Sequence, residues 1–267
     1  VQRQGVNLLV ALDLSQSMNA EDVRPSRLSK AKFEITRLIE RLRGDRVGLL
    51  VFTGDAFIQS PMTMDYSALR MFLDIAETNQ MPSGTTNFQA AFEKAAEAFE
   101  SLENQAGNDA ANVLLFIADG ENHGPSYNED LRRLINKGVM VFTVGIGTRE
   151  GGPIPIYESG TSNLIGYVRD SNGNLVNTRL ETGTMQEIAR QSGGNYYEIN
   201  SATDTIEPFF AKLDELEKGE FSSQEFADFQ NQYQIILLAG IIFFIAGLLM
   251  PAYRKSEKSF INFFVRN

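Results

Sequence analysis

Apolar and polar positions fall into blocks along this chain, and the blocks switch between two periods. Leu8–Leu12, Val47–Phe52, Val113–Ala118 and Val139–Val144 are short, nearly unbroken apolar runs. Such runs predict strands buried on both faces of a parallel sheet. Between them the period lengthens. Arg27–Arg43 carries Leu28, Ala31, Phe33, Ile35, Leu38, Ile39 and Leu42 near helical spacing, and Phe88–Leu102 carries Phe92, Ala95, Ala96, Phe99 and Leu102 on one side. Each predicts a helix with one face on the sheet. Tyr66–Ile75, Glu129–Asn136, Thr184–Gln191 and Asp204–Leu216 predict further helices, and Tyr196–Ile199 a last strand. Ala56–Met62 follows the turn Thr53-Gly54-Asp55 and is expected to return antiparallel as an edge strand, where Pro61 is tolerated. Alternation of this kind makes one α/β, Rossmann-like sandwich over residues 1–216, with a mostly parallel central sheet and helices on both faces.

Two stretches break the alternation. Residues 152–182 are rich in Gly, Asn, Ser and Thr, and Leu164–Arg169 and Leu175–Leu180 flank Asp170-Ser171-Asn172-Gly173-Asn174. That pattern predicts an inserted hairpin. After an acidic linker, 217–230, the run Ile235–Met250 is uncharged and almost wholly apolar, with Tyr233 and Tyr253 at its ends. Residues 231–253 are therefore expected to form a C-terminal transmembrane helix of the ~20 residues a bilayer requires. Beyond it Arg254, Lys255, Lys258 and Arg266 face one acid, Glu257. By the positive-inside rule this basic tail, 254–267, is expected in the cytoplasm and the large domain on the other side.

Composition, at 43% hydrophobic and 22% charged, is that of an ordinary globular protein. The net charge of -10, with no basic stripe in the body of the chain, argues against nucleic acid as a partner. Cysteine is absent, which excludes disulfides and thiolate metal sites without assigning a compartment. The sequence begins at Val1 and not at a Met, so it is expected to be a piece of a longer chain.

Candidate chemistry gathers where the first strand stops. Asp13-Leu14-Ser15-Gln16-Ser17 puts one carboxylate and two hydroxyls on alternate positions at a strand's carboxyl end. In open α/β sheets that edge binds ligands, and hard oxygen donors suit Mg²⁺ or a similar cation. Ser and Asp after a strand also cap helices and make turns, so this stretch alone decides nothing.

A strand end followed by Asp-x-Ser-x-Ser resembles the opening of the metal-ion-dependent adhesion site of von Willebrand factor A (VWA) domains. Ser83-Gly84-Thr85-Thr86-Asn87-Phe88-Gln89-Ala90-Ala91-Phe92 resembles the loop carrying that family's threonine ligand, and Ala118-Asp119-Gly120-Glu121-Asn122 the loop carrying its second aspartate. The resemblance covers roughly Asn7 to Leu216. Within the superfamily, Gly44-Asp45-Arg46-Val47-Gly48-Leu49, Ala56-Phe57, Pro61-Met62-Thr63-Met64-Asp65-Tyr66, Gly151-Gly152-Pro153-Ile154-Pro155-Ile156 and the insertion before Leu180 resemble the bacterial aerotolerance (Bat) proteins.

That resemblance implies a metal site of Asp13, Ser15, Ser17, Thr86 and Asp119, with Thr85 the alternative to Thr86. The hydroxyls would bind directly and the carboxylates directly or through water, holding Mg²⁺, Mn²⁺ or Ca²⁺. An acidic side chain of a partner would be the sixth ligand. The implied partners are other Bat proteins, tetratricopeptide-repeat proteins and a MoxR-type AAA+ ATPase. The implied setting is the bacterial inner membrane, with the VWA domain periplasmic and a role in stress or oxygen tolerance. The start of the helix after Thr86 is expected to aim free amides toward the metal loop.

The expected output is binding and not catalysis. A Mg²⁺-dependent phosphatase of the haloacid-dehalogenase kind would need a second Asp two residues after Asp13, where this chain has Ser15, and no downstream Lys is evident in the corresponding role. A third reading leaves the ion a purely structural brace. Glu121 and the lone His123 invite an acid–base role, but with no nucleophile nearby they are expected in a solvated loop. Gly145-Ile146-Gly147-Thr148-Arg149-Glu150-Gly151 has the wrong spacing for a dinucleotide fingerprint, and Gly152-Pro153 follows in place of a helix.

Overall fold

Every residue of Asn7–Asp13 (β1) is buried, because parallel strands flank it on both sides. Arg46–Phe52 (β2) pairs along one edge and Asn112–Ala118 (β4) along the other. Leu8, Val10 and Leu12 enter one core while Leu9 and Ala11 enter the opposite one, as the two-residue period of a strand dictates. Ala56–Thr63 (β3) returns antiparallel from β2 at the sheet's edge. Met140–Ile146 (β5) lies parallel beside β4, and Tyr196–Ile199 (β10) parallel beside β5. The order across the sheet is β10-β5-β4-β1-β2-β3.

Helices cover both faces. Arg27–Arg41 (α1), Tyr66–Asp74 (α2) and a last helix over 207–216 (α6) bury Ile35, Leu38, Leu69, Leu73, Phe209 and Leu213 on one side. Phe88–Glu103 (α3), Asn128–Asn136 (α4) and Thr182–Gln191 (α5) bury Phe92, Phe99, Leu131, Leu134, Met185 and Ile188 on the other. The starts of the helices are set locally. Ser26 caps α1 by accepting the Ser29 amide, and Asp65 caps α2 by accepting those of Ser67 and Ala68.

The insertion is built differently from the predicted hairpin. Its turn forms, with Gly173 at φ +82 and the Asp170 amide donating to Asn174 O at 2.9 Å. Farther from the turn its arms pair with other strands. Leu164–Tyr167 (β8) is antiparallel to Pro155–Tyr157 (β7), and Asn177–Thr178 (β9) to Gly152–Pro153 (β6). Near the turn the two arms do meet, where Arg169 faces Leu175 and the Val176 amide donates to the Val168 carbonyl at 3.0 Å. Pro153 and Pro155 disguise β6 and β7 in the sequence, since a residue without an amide hydrogen is tolerated only at strand edges.

The computed structural model describes residues 5–81, 86–103, 110–158, 163–203 and 205–216, with 240, 244 and 245. The chain divides into two units at Phe221 and Ser222, and everything above belongs to the first. In the second, Gly240, Phe244 and Ile245 are helical and exposed. Among the described residues no helix is long and apolar enough to cross a membrane. Apart from those three positions, the span expected at 231–253 lies outside the described residues, as do the linker and the basic tail.

Candidate metal centre

The chain leaves β1 to build β2 and β3 on one side, then crosses back to build β4, β5 and β10 on the other. The winding reverses between β1 and β4, and a crevice opens beyond their carboxyl ends at such a point. Asp13 closes β1 and Asp119 follows β4, so two carboxylates from distant sequence meet there, both fully buried.

After Asp13 the chain tightens into a 3₁₀ turn, Gln16–Asn19. Ser15 and Ser17 are buried, and their hydroxyl oxygens lie 2.8 Å apart. Asp13 Oδ1 accepts the Ser15 amide at 2.7 Å, whereas Asp13 Oδ2 is buried with no hydrogen-bond partner among the described residues. Asp119 Oδ1 accepts the Glu121 amide at 3.1 Å. Thr86 is buried just before α3, and its carbonyl accepts the His123 amide at 2.9 Å. Asp13, Ser15 and Ser17 are thus linked in one turn, Asp119 stands beside Asp13, and Thr86 is hooked through its backbone to the loop after Asp119. Thr85 lies outside the described residues.

Electrostatics follow from this burial. Desolvation pushes the Asp13 carboxyl well above the usual carboxylate range, and Asp119 beside it adds to the push against the Ser15 hydrogen bonds. Asp119 is pushed up by burial too, with Arg27 and Ser17 pulling it back. Two carboxylates in one dry crevice repel each other, and a divalent cation between them removes that penalty. The orphaned Asp13 oxygen, the touching hydroxyls and the second carboxylate form a hard-oxygen donor set that Mg²⁺ fits.

Sequence reasoning missed Arg27, Asp22 and Thr178. The Arg27 side chain is fully buried beside Asp119. Nε and Nη2 fork onto Asp22 at 2.8 and 2.9 Å, Nη1 donates to Asp119 Oδ2 at 3.1 Å and Thr178 Oγ1 at 3.0 Å, and Nη2 reaches the Thr178 carbonyl at 3.2 Å. These contacts occupy all five guanidinium N–H groups. The available signal was helical spacing, since Arg27 shares its face with Ala31, Ile35 and Leu38, all buried.

Two expectations are corrected. Glu121 is half-buried and engaged, since its Oε1 accepts the Thr178 hydroxyl at 2.9 Å and the Arg179 amide at 3.1 Å. His123 is exposed. The first amides of α3 are not free either, because Phe88 N donates to Asn122 Oδ1 at 3.0 Å and Ala90 N to Asn87 Oδ1 at 3.3 Å. Beside the metal loop, a groove of about 670 Å³ runs from Gln16 and Asn19 to Thr78, Ile156 and Tyr157.

A family model for the von Willebrand factor type A domain matches residues 8–121. The crystal structure of BatB from Bacteroides thetaiotaomicron is 36% identical, with a TM-score of 0.72 over 80% of this chain and 100% of that one. The chain belongs to the VWA-domain proteins of the bacterial aerotolerance (Bat) family. An aerotolerance-related membrane protein from Bacteroides fragilis is similar at 33% identity and TM-score 0.69, again over 80% of this chain and 100% of that one. A UPF0353 protein of Mycolicibacterium paratuberculosis is 28% identical over 208 residues, 74% of this chain and 57% of that protein. The Bat chain therefore spans little more than half the length of that curated relative. The fold alone is shared with proximal thread matrix protein 1 of the mussel byssus, at 15% identity and TM-score 0.54 over 80% of this chain and 46% of that one; that protein is described with a zinc-occupied metal-ion-dependent adhesion site.

Proposed function

We propose that this Bat protein holds a divalent cation, Mg²⁺ before Mn²⁺ or Ca²⁺, at Asp13, Ser15, Ser17, Thr86 and Asp119, and uses it to bind an acidic side chain of a protein partner. The observation that carries the reading is Asp13 Oδ2, a buried acceptor with no partner among the described residues, beside a pair of touching hydroxyls. A buried carboxylate oxygen left unsatisfied is costly unless something positive meets it. Hydroxyl ligands bring no charge, so a cation held by three of them and two carboxylates keeps its attraction for an anion from outside. The groove beside Gln16 and Asn19 gives a partner room to approach. Binding, and not bond breaking, is the output.

The partners proposed are other Bat proteins, tetratricopeptide-repeat proteins and a MoxR-type AAA+ ATPase, in an envelope complex linked to stress or oxygen tolerance. The placement proposed is the bacterial inner membrane, with 231–253 spanning it, the VWA domain periplasmic and 254–267 cytoplasmic. The Bacteroides fragilis relative is described as a membrane protein, which supports this placement. The zinc found in the mussel protein adds Zn²⁺ to the cations worth testing.

The test is calorimetric titration of Mg²⁺, Mn²⁺ and Zn²⁺ into the full chain in detergent, beside an Asp13→Ala, Ser15→Ala variant. Co-purification with candidate Bat partners in Mg²⁺ and in EDTA follows. Cation binding by the parent alone, with partner binding lost in EDTA, is the expected result. Cation binding with EDTA-insensitive partner binding would leave the ion a structural brace, and no cation binding would overturn the reading.

A further inference from the structure

Thr148, just beyond β5, pins both ends of the insertion: its hydroxyl accepts the Gly151 amide at 3.0 Å and its carbonyl the Leu180 amide at 2.9 Å. Asp22 in turn accepts the Thr148 amide at 2.7 Å and its hydroxyl at 3.0 Å. The opposite side of the same segment is fastened to the loop of the second metal-site aspartate. Thr178 and Arg179 donate to Glu121, and the Glu181 amide donates to the Asp119 carbonyl at 2.8 Å. Arg27 touches Asp119, Asp22 and Thr178 at once. The backbone makes room for it, since a Cβ on Gly147 (φ +141) would lie 2.9 Å from Arg27 Nε.

We propose that Arg27 is a positioning residue that makes the 152–182 insertion part of the metal centre, so that cation binding at Asp119 and the order of the insertion change together. The proposal rests on the metal-binding reading above. A guanidinium is a flat, rigid fork, so its bonds to Asp119, Asp22 and Thr178 share one orientation. A cation that draws the Asp119 carboxylate toward itself alters the 3.1 Å contact with Nη1 and, through the fork, the contacts with Thr178 and Asp22. Arg27, Asp119 and Thr178 are all buried, and close packing passes such a change on to their neighbours. Linkage makes the effect reciprocal: whatever steadies the insertion tightens cation binding by the same factor by which the cation steadies the insertion.

The experiment is hydrogen exchange on the full chain in detergent, with and without Mg²⁺, together with calorimetric Mg²⁺ affinities for Thr178→Val, Arg27→Lys and Ser192→Ala. Thr178→Val preserves shape and removes only the hydroxyl, so it decides the matter even if Arg27→Lys does not fold. Ser192→Ala deletes a buried hydroxyl bonded to Val141, far from the metal centre in the chain, and controls for lost stability. In the parent, Mg²⁺ is expected to slow exchange at 148–152 and 176–181. Thr178→Val is expected to weaken Mg²⁺ binding about tenfold and abolish that slowing, with Ser192→Ala changing neither. Parental Mg²⁺ affinity and an unchanged exchange response in Thr178→Val would overturn the coupling while leaving the metal site intact. A parent that binds no cation would overturn both readings.

Discussion

The Ser15 and Ser17 hydroxyl oxygens lie 2.8 Å apart where the central strand gives way to a 3₁₀ turn, and both side chains are buried. One hydroxyl hydrogen satisfies that contact, and lone pairs of both oxygens remain for one cation. Ser17→Ala is therefore expected to weaken Mg²⁺ binding by at least about tenfold. The same change is expected to cost metal-free stability only about 1 kcal/mol, the worth of an ordinary hydrogen bond. Calorimetry reads the first effect and urea unfolding in EDTA the second. Parental affinity in Ser17→Ala would place the cation elsewhere.

Asp13 makes a second, opposite prediction. Without a cation its buried carboxylate repels Asp119, and one of its oxygens has no partner among the described residues. Asp13→Asn relieves the repulsion while its carbonyl oxygen keeps the Ser15 amide, so its Tm in EDTA is expected to exceed the parent's. With Mg²⁺ the order reverses. The parent gains about 2.7 kcal/mol at a cation concentration a hundredfold above Kd, and the variant gains almost nothing. Scanning calorimetry in EDTA and in Mg²⁺ compares the two, and a variant that still responds to Mg²⁺ would remove Asp13 from the ligand set.

The sandwich was legible because β1, β2, β4 and β5 are buried on both faces, and burial on both faces leaves an unbroken apolar signal. Asp13, Ser15 and Ser17 were legible because they are neighbours in sequence. Asp119 was reached only through the family resemblance of its loop, since nothing local in the sequence shows that β4 lies beside β1. The insertion was legible only at its turn, because the signal at Asp170–Asn174 is local and strong, while the further strands its arms join are broken by Pro153 and Pro155. Glu121 was read as solvated because its partner Thr178 lies 57 residues away. Arg27 stands at a helix start, where a charge usually faces water; only its spacing from Ala31 and Ile35 marks it as inward.

Acid sensitivity is expected from Asp22. Burial pushes its carboxyl up, but the Arg27 fork and the Thr148 bonds outweigh burial and hold it below its ordinary value. A lowered folded-state pKa means the folded protein favours the ionised form. That stability is present above the unfolded value of about 3.9 and is lost as pH falls through the lower folded value. Urea midpoints measured in EDTA are expected to drop steeply below about pH 4 in the parent, where the carboxyl protonates. Asp22→Asn is expected to be weaker at pH 7 and flatter over the acid range. Equal slopes for both proteins would mean that Asp22 is not a source of the acid limb.

Packing beneath the metal centre gives the last prediction. The Phe116 ring on β4 lies 4.9 Å from the rings of Phe52, Phe88 and Phe92, joining two strands to the first turn of α3. Thr86 precedes Phe88 by two residues, so this cluster supports the loop that carries it. Phe116→Ala is expected to cost about 3–5 kcal/mol through lost burial and the cavity left behind. It is also expected to lower Mg²⁺ affinity several-fold, although Phe116 is not among the metal-site side chains. Phe116→Leu, which keeps more of the volume, is expected to cost less and to bind Mg²⁺ nearly as the parent does. Unfolding in urea and calorimetry on the same samples separate the two effects. A destabilised Phe116→Ala with parental affinity would mean that Thr86 is held by its backbone bond to His123, at 2.9 Å, and not by the aromatic cluster below it.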